Sequence, residues 1–181
     1  GYPVDKAQGI AWFQKSAAQG HTAAQQELGV IYTTGDGVAK DDAKAIEWFR
    51  KAAAAGNPTA QYNLGLMIAK GAGVRQDYAQ ALDWFRKAGT QGFTFAQFKV
   101  GVAYENGAGV AADPVLAYAN YAIAARDGNA EHVAQRDAQA ARLTPEQAQR
   151  GAALAAAWNV GQPLPGGGAA GAAPRAKDRC S

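Results

Sequence analysis

Cysteine is nearly missing from this chain: of 181 residues only Cys180 is one, next to the C-terminus. It can form no intrachain disulfide, so redox compartment is illegible, and a nucleophile needs a base held by rigid neighbours, which that position does not offer. Serine and histidine are almost as scarce. Ser16 and Ser181 are the only serines and belong to neither S-x-x-K nor G-x-S-x-G, which leaves acyl transfer without a nucleophile. His21 and His132 are the only histidines, with no H-E-x-x-H and no cysteine partners, so a zinc site is not expected. Each histidine is expected near a helix start or on the surface. Runs of Val, Ile and Thr are absent, which argues against strands. No stretch reaches the 18 or more apolar residues that a membrane span requires, and the first residues contain neither Met nor a signal-peptide core. The expectation there is a removed targeting segment or a piece of something longer. Blocks of like charge are missing too. The 18 basic and 15 acidic residues leave a net charge of +3 that is spread along the chain. A phosphate-tracking face needs clustered Lys and Arg, so nucleic acid is not the expected partner.

What the chain does have is alanine, glycine, aromatic rings and a period. Trp12, Trp48 and Trp84 stand thirty-six apart, as do Phe13, Phe49 and Phe85, and Lys15, Lys51 and Lys87. The same offset relates Ala24, Ala60 and Ala96, and Gly29, Gly65 and Gly101. Such self-similarity marks an array of one supersecondary unit.

The unit reads as two helices. Ile46, Phe49, Ala52 and Ala53 form one helical stripe, with Glu47, Arg50 and Lys51 on the other side. Asp41 stands at the N-cap position and Gly56 just past the last periodic residue. Asn57 and Pro58 open a second helix that runs to about Lys70, and Gly71-Ala72-Gly73-Val74 breaks the chain. The Gly-rich turns lack G-x-x-x-x-G-K-[ST], so they are structural turns, not phosphate cradles. A glycine inside a helix costs about 1 kcal/mol against Ala. Its recurrence at Gly29, Gly65 and Gly101 therefore predicts close helix-to-helix approach. Trp48 and Phe49 are adjacent and point about 100° apart on a helix, so at least one must be core. Core packing is expected for Phe13, Phe49 and Phe85 and for Trp12, Trp48 and Trp84.

The order A-Q-x-x-L-G, then G-x-G-V, then A-x-x-W-F-x-K-A is similar to the Sel-one-like repeat, a relative of the tetratricopeptide repeat, over residues 1 to about 128. The resemblance implies an all-α, right-handed α-solenoid of antiparallel helix pairs. Its implied function is a non-enzymatic scaffold or adaptor for another protein or peptide, in bacterial envelope, secretion or signalling systems, periplasmic or secreted, without cofactor or membrane insertion. Hydrolysis of cell-wall or β-lactam substrates is suggested for some Cys-rich relatives and stands as the alternative, against which the missing serine motif, metal set and paired acids argue. If tetratricopeptide-like geometry holds, the first helix of each pair lines the inside of the curve. Its exposed residues are then the candidate partner contacts: Gln8 and Lys15, then Lys44, Glu47 and Lys51, then Gln80, Asp83 and Lys87.

Residues 1–112 are thus read as three repeats, with Trp12 and Phe13 packing inward in the first. Residues 113–160 are a degenerate fourth repeat and capping helix. There Asn120 replaces the Trp, Arg136 the Leu and Asp137 the Gly, as suits an outer face that meets no further repeat. Thr144, Pro145 and Gln147 promise a capped last helix, whose Ala148, Leu154, Ala155 and Trp158 would close the final layer. Residues 161–181, rich in Gly, Ala and Pro, are expected to be a flexible tail.

Overall fold

The computed structural model describes residues 6–167. Those residues hold nine α-helices, one 3-10 turn and no strand, as the all-α expectation required. They divide into two compact units, one up to Ala88 and one from Gly89.

The first unit contains α1 (Lys6–Ala18), α2 (Thr22–Thr34), α3 (Asp42–Ala54), α4 (Pro58–Lys70) and most of α5 (Tyr78–Thr90). Helix starts are fixed by side chains that accept orphan N–H groups: Asp41 Oδ1 from Lys44 N at 3.0 Å, Asn57 Oδ1 from Ala60 N at 2.9 Å, and Asp77 Oδ1 from Gln80 N at 2.9 Å. The hydrogen bond from the Lys44 N–H holds the Asp41 carboxyl below the usual carboxylate range. Helices α2 and α4 end at Gly35 and Gly71, with φ of 75° and 71°. That left-handed conformation excludes most side chains and explains the recurring glycine after each second helix.

Two devices repeat with the sequence. The first lies within a pair. Gln25 and Gln61 are buried, and each donates its amide to a carbonyl in the last turn of the preceding helix, Ala17 O and Ala53 O, both at 3.1 Å. In the second unit Gln97 does the same to Gly89 O at 2.9 Å. Each bond gives a second donor to a helix-end carbonyl that already accepts a turn N–H, from Gly20 at 3.0 Å, Gly56 at 3.0 Å and Gly92 at 2.9 Å. Gln61→Leu removes the side-chain donor to Ala53 O, which keeps the bond from Gly56 N–H at 3.0 Å, and the expected loss is about 0.5–1.5 kcal/mol. Urea unfolding followed by circular dichroism checks it, with the exposed Gln80→Leu as a near-neutral control.

The second device joins one pair to the next. A Cβ built on Gly29 would lie 2.5 Å from Phe49 Cδ1, and one on Gly65 would lie 2.6 Å from Phe85 Cε1. The rings lie where a side chain would otherwise be, which is why glycine recurs inside the helix. Phe49 and Phe85 are buried as expected. Trp48 is half-buried at the edge, packed against the Ile10, Ala17, Ala24 and Leu28 cluster. The expectation fails in the first pair: Trp12 is 69% exposed and Phe13 37%. No described helix precedes α1 to cover them.

The second unit contains the end of α5, then α6 (Thr94–Asn106), α7 (Pro114–Ala124), the 3-10 turn Ala125–Asp127, α8 (Ala130–Ala140) and α9 (Pro145–Ala157). Tyr121 takes the place of Phe49 and Phe85, and a Cβ on Gly101 would meet its Cδ1 at 2.6 Å. The buried phenol donates to Glu105 Oε2 at 2.5 Å, and Gln135 and Arg142 also reach that carboxylate. Burial, then the bond to Glu105, pushes the Tyr121 hydroxyl above its usual range. Helix α9 starts with the expected capping box, Thr144 and Gln147 bonding each other's backbone N–H, and packs on α7. Ala155 and Trp158 are buried there.

Three expectations are corrected in this unit, and a fourth is met in an unforeseen setting. Leu154 is exposed; the close contact is made instead by Gly151, whose Cβ would be 2.5 Å from Tyr118 Cδ1. Asn120 does not face solvent. It is fully buried and donates to Leu116 O and Pro165 O at 2.8 and 3.2 Å. His132 stands in the first turn of α8, near a helix start as expected, and is buried there, stacked on Phe98 with centroids 4.8 Å apart, its Nδ1 3.0 Å from Asp127 Oδ2. Finally, residues 161–167 are packed. Leu164 is 2% exposed, Gly161 N–H donates to Thr90 O at 2.7 Å, and Tyr104 Oη donates to Gly166 O at 2.9 Å. Residues 168–181, including Cys180, lie outside the described residues.

Candidate functional site

The sequence places Trp and Lys three apart on the first helix of each pair, and on a helix that spacing makes them neighbours on one face. The structure brings the ammonium over the ring each time. Lys51 Nζ lies 4.2 Å from the Trp48 ring centroid, Lys87 Nζ 4.1 Å from that of Trp84, and Lys15 Nζ 5.6 Å from that of Trp12. A cation over an exposed indole gains about 0.5–1 kcal/mol. That is enough to bias the lysine rotamer and too little to withdraw the charge from a partner. Trp48 and Trp84 are half-buried, so each presents one ring edge beside a positive head.

The remaining candidate residues fall on the same helices with differing engagements. Lys44 is exposed, with Nζ 3.4 Å from Asp41 Oδ2 and 5.5 Å from the Tyr32 ring. Asp83 accepts from Arg86 at 3.4 Å, one turn along α5. Glu47, Gln80 and Gln8 are exposed. The three pairs thus offer a row of lysines (Lys15, Lys51, Lys87) and a row of carboxylates (Glu47, Asp83), with Trp12, Trp48 and Trp84 beside the lysines. Sequence reasoning missed Tyr32, which contributes a ring under Lys44 from the neighbouring second helix. It also missed the buried glutamines, although their period is the same thirty-six.

A second concavity opens on the second-helix side, a cavity of about 290 Å³ whose lining includes Val30, Thr33, Lys40, Asp42, Asn63 and Met67. The Thr33 hydroxyl is committed to Gly29 O at 2.7 Å, and Lys40 Nζ lies 3.6 Å from Asp42 Oδ1.

Catalytic arrangements find little support. Ser16 Oγ lies 3.2 Å from His21 Nδ1, a nucleophile–base distance. That same nitrogen is 3.1 Å from the Ser16 carbonyl, which can only accept, so Nδ1 carries the proton and has no lone pair to take one from Oγ. No group of three His, Cys, Asp or Glu side chains among the described residues is placed to hold a metal. Among those residues no helix is long and apolar enough to cross a membrane.

Comparison with known proteins agrees with this geometry. Comparison with curated proteins finds no match. Among solved structures, c5321, a protective antigen present in uropathogenic Escherichia coli strains that displays an SLR fold, is 41% identical, with a TM-score of 0.78 over 83% of this chain. The aligned region is 32% of that structure, so this chain spans about a third of its length. A Sel1 repeat protein from Oxalobacter formigenes is 39% identical, with a TM-score of 0.65 over 72% of this chain and 98% of its own. The Sel1 repeat model matches residues 1–21, 22–57, 58–93 and 94–129, whose boundaries follow the turns between helices. With its period, its paired helices and these matches, the chain belongs to the Sel1 repeat family, an all-α solenoid class whose members generally serve as protein-interaction scaffolds.

Proposed function

We propose that this protein is a non-enzymatic scaffold in a bacterial envelope, secretion or signalling system. It binds a protein or peptide along the face carrying Trp48, Lys51, Trp84 and Lys87. The observation that supports this reading is the repeated ammonium over a half-exposed indole, held at 4.2 and 4.1 Å in successive pairs. Rings that stay partly in solvent beside a charge suit a partner that supplies apolar contact and a carboxylate together. Glu47 and Asp83, one row over, select the partner's register by repelling acids there. The likeness to a protective antigen supports the envelope setting.

Reversing both lysines, K51E/K87E, is expected to weaken partner binding at least tenfold while leaving helix content and melting temperature nearly unchanged, since both side chains are exposed. A photo-cross-linking residue at Glu47 captures the partner, and titration of that partner with parent and variant reads the effect. Unchanged affinity removes this face from consideration. A purified chain that hydrolyses β-lactam or peptidoglycan would instead favour an enzyme.

A further inference from the structure

One locus of the repeat is filled by a polar network in the second unit and is hollow in the first. Where α6 meets α7 and α8, the Glu105 carboxylate accepts from three donors: Tyr121 Oη at 2.5 Å, Gln135 Nε2 at 3.0 Å and Arg142 Nη1 at 2.8 Å. Two periods earlier the same four phases carry Thr33, Phe49, Asn63 and Lys70. The amide and the cation persist in kind, whereas the carboxylate and the hydroxyl that bonds it are gone. All four residues line the cavity of about 290 Å³ described above, where α2 meets α3 and α4. Its apolar part includes the buried Phe49 and Met67. Its charged groups are Lys40, Lys70 and Asp42, two cations and one anion, a surplus of one positive charge. Lys40 Nζ is 3.6 Å from Asp42 Oδ1, while among the described residues Lys70 has no ion-pair partner. The hydroxyls of Thr33 and Thr34 donate to Gly29 O and Val30 O at 2.7 and 2.9 Å, so neither has a proton left for an anion. The Asn63 amide and the Lys70 ammonium remain as donors.

We propose that this cavity binds a small amphipathic monocarboxylate. The ligand's carboxylate takes the place that the Glu105 carboxylate takes two periods on, and its apolar body lies on Phe49 and Met67. A carboxylate leaves water only where donors pair it, and Asn63 and Lys70 supply what Gln135 and Arg142 supply to Glu105. One anion neutralises the surplus charge of the lining. The volume sets the size: at about 30 Å³ for each water-sized group, the cavity takes roughly ten non-hydrogen atoms, as in an eight-carbon acid. The inference is independent of the lysine and tryptophan face, since none of those side chains lines the cavity.

Met67 is the only methionine in the chain, so its methyl resonance reports on this cavity alone. In the full chain, octanoate is expected to shift that resonance saturably. Octanamide, of the same shape without the charge, should bind at least about tenfold more weakly. Lys70→Gln should remove most of that difference, and the side chain is exposed, so the fold is not at stake. Thr33→Glu should place the chain's own carboxylate in the cavity, as Glu105 does, and abolish octanoate binding with helix content unchanged. Should Thr33→Glu unfold, Lys70→Gln still decides. A parent chain with no saturable shift, equal affinity for acid and amide, or full octanoate affinity in Lys70→Gln or in a folded Thr33→Glu would each overturn the proposal.

Discussion

Phe49→Ala is expected to destabilise the first unit by about 3–5 kcal/mol, whereas Phe13→Ala, the same substitution at the same repeat position, should cost about 1 kcal/mol or less. Composition and helix position are matched, so the difference isolates the covering helix. Phe49 fills the space over Gly29, where a Cβ would come within 2.5 Å of the ring, and is 2% exposed. Its removal therefore leaves a cavity that α2 and α3 cannot close by local relaxation. Phe13 already gives 37% of its surface to water, and truncation forfeits only the remaining contact. Urea denaturation of each variant, followed by helix circular dichroism, measures the pair. Equal losses would mean that the glycine notch contributes nothing beyond ordinary burial.

Leu164→Ala should cost about 2–5 kcal/mol, although the surrounding sequence, GQPLPGGG, has a linker's composition. Leu164 is 2% exposed, and a Cβ on Gly89 would touch its Cδ1 at 2.6 Å, so the side chain fills a notch in α5 just as the rings fill theirs. Hydrogen bonds hold the segment on either side: Gly161 N–H donates to Thr90 O before it, and Asn120 Nδ2 to Pro165 O and Tyr104 Oη to Gly166 O after it. The control is Leu154→Ala on α9. That leucine is 39% exposed, and its loss should stay near 0.5–1 kcal/mol. A thermal melt separates the two variants, and a Leu164→Ala protein that melts with the parent would return residues 161–167 to the status of a tail.

These paired controls also show where the sequence is readable. Period and capping chemistry are local: Asp41, Asn57 and Thr144 bond N–H groups three residues away, so each helix start was visible in a few letters. The glycine series was visible because a helix does not keep a destabilising residue at one phase without a reason, and the reason proved to be a ring twenty residues on. The burial of Phe13 and Trp12 was misread because position within a repeat says nothing about whether a neighbour covers it. Asn120, His132 and the glutamines at 25, 61 and 97 were missed or misplaced for one physical cause. Polar side chains are assigned to water unless a partner is known, and theirs are backbone carbonyls, a ring or a carboxylate elsewhere in the fold. Leu164 was hidden by averaging, since one anchoring side chain among glycines and prolines does not change a composition. On the lysine face, spacing sufficed to place Lys15, Lys51 and Lys87 in one row, while the stacking on tryptophan needed coordinates.

The glycine-and-ring contact has a direction: the pairs up to α6 each carry a knob on the leading edge and a matching hollow on the trailing edge. Modules built this way are interchangeable, so a unit duplicated into the middle of the array would seat against both neighbours with no compensating change. Asp137 breaks the pattern, and so the series has a built-in stop at one end, written in a single residue.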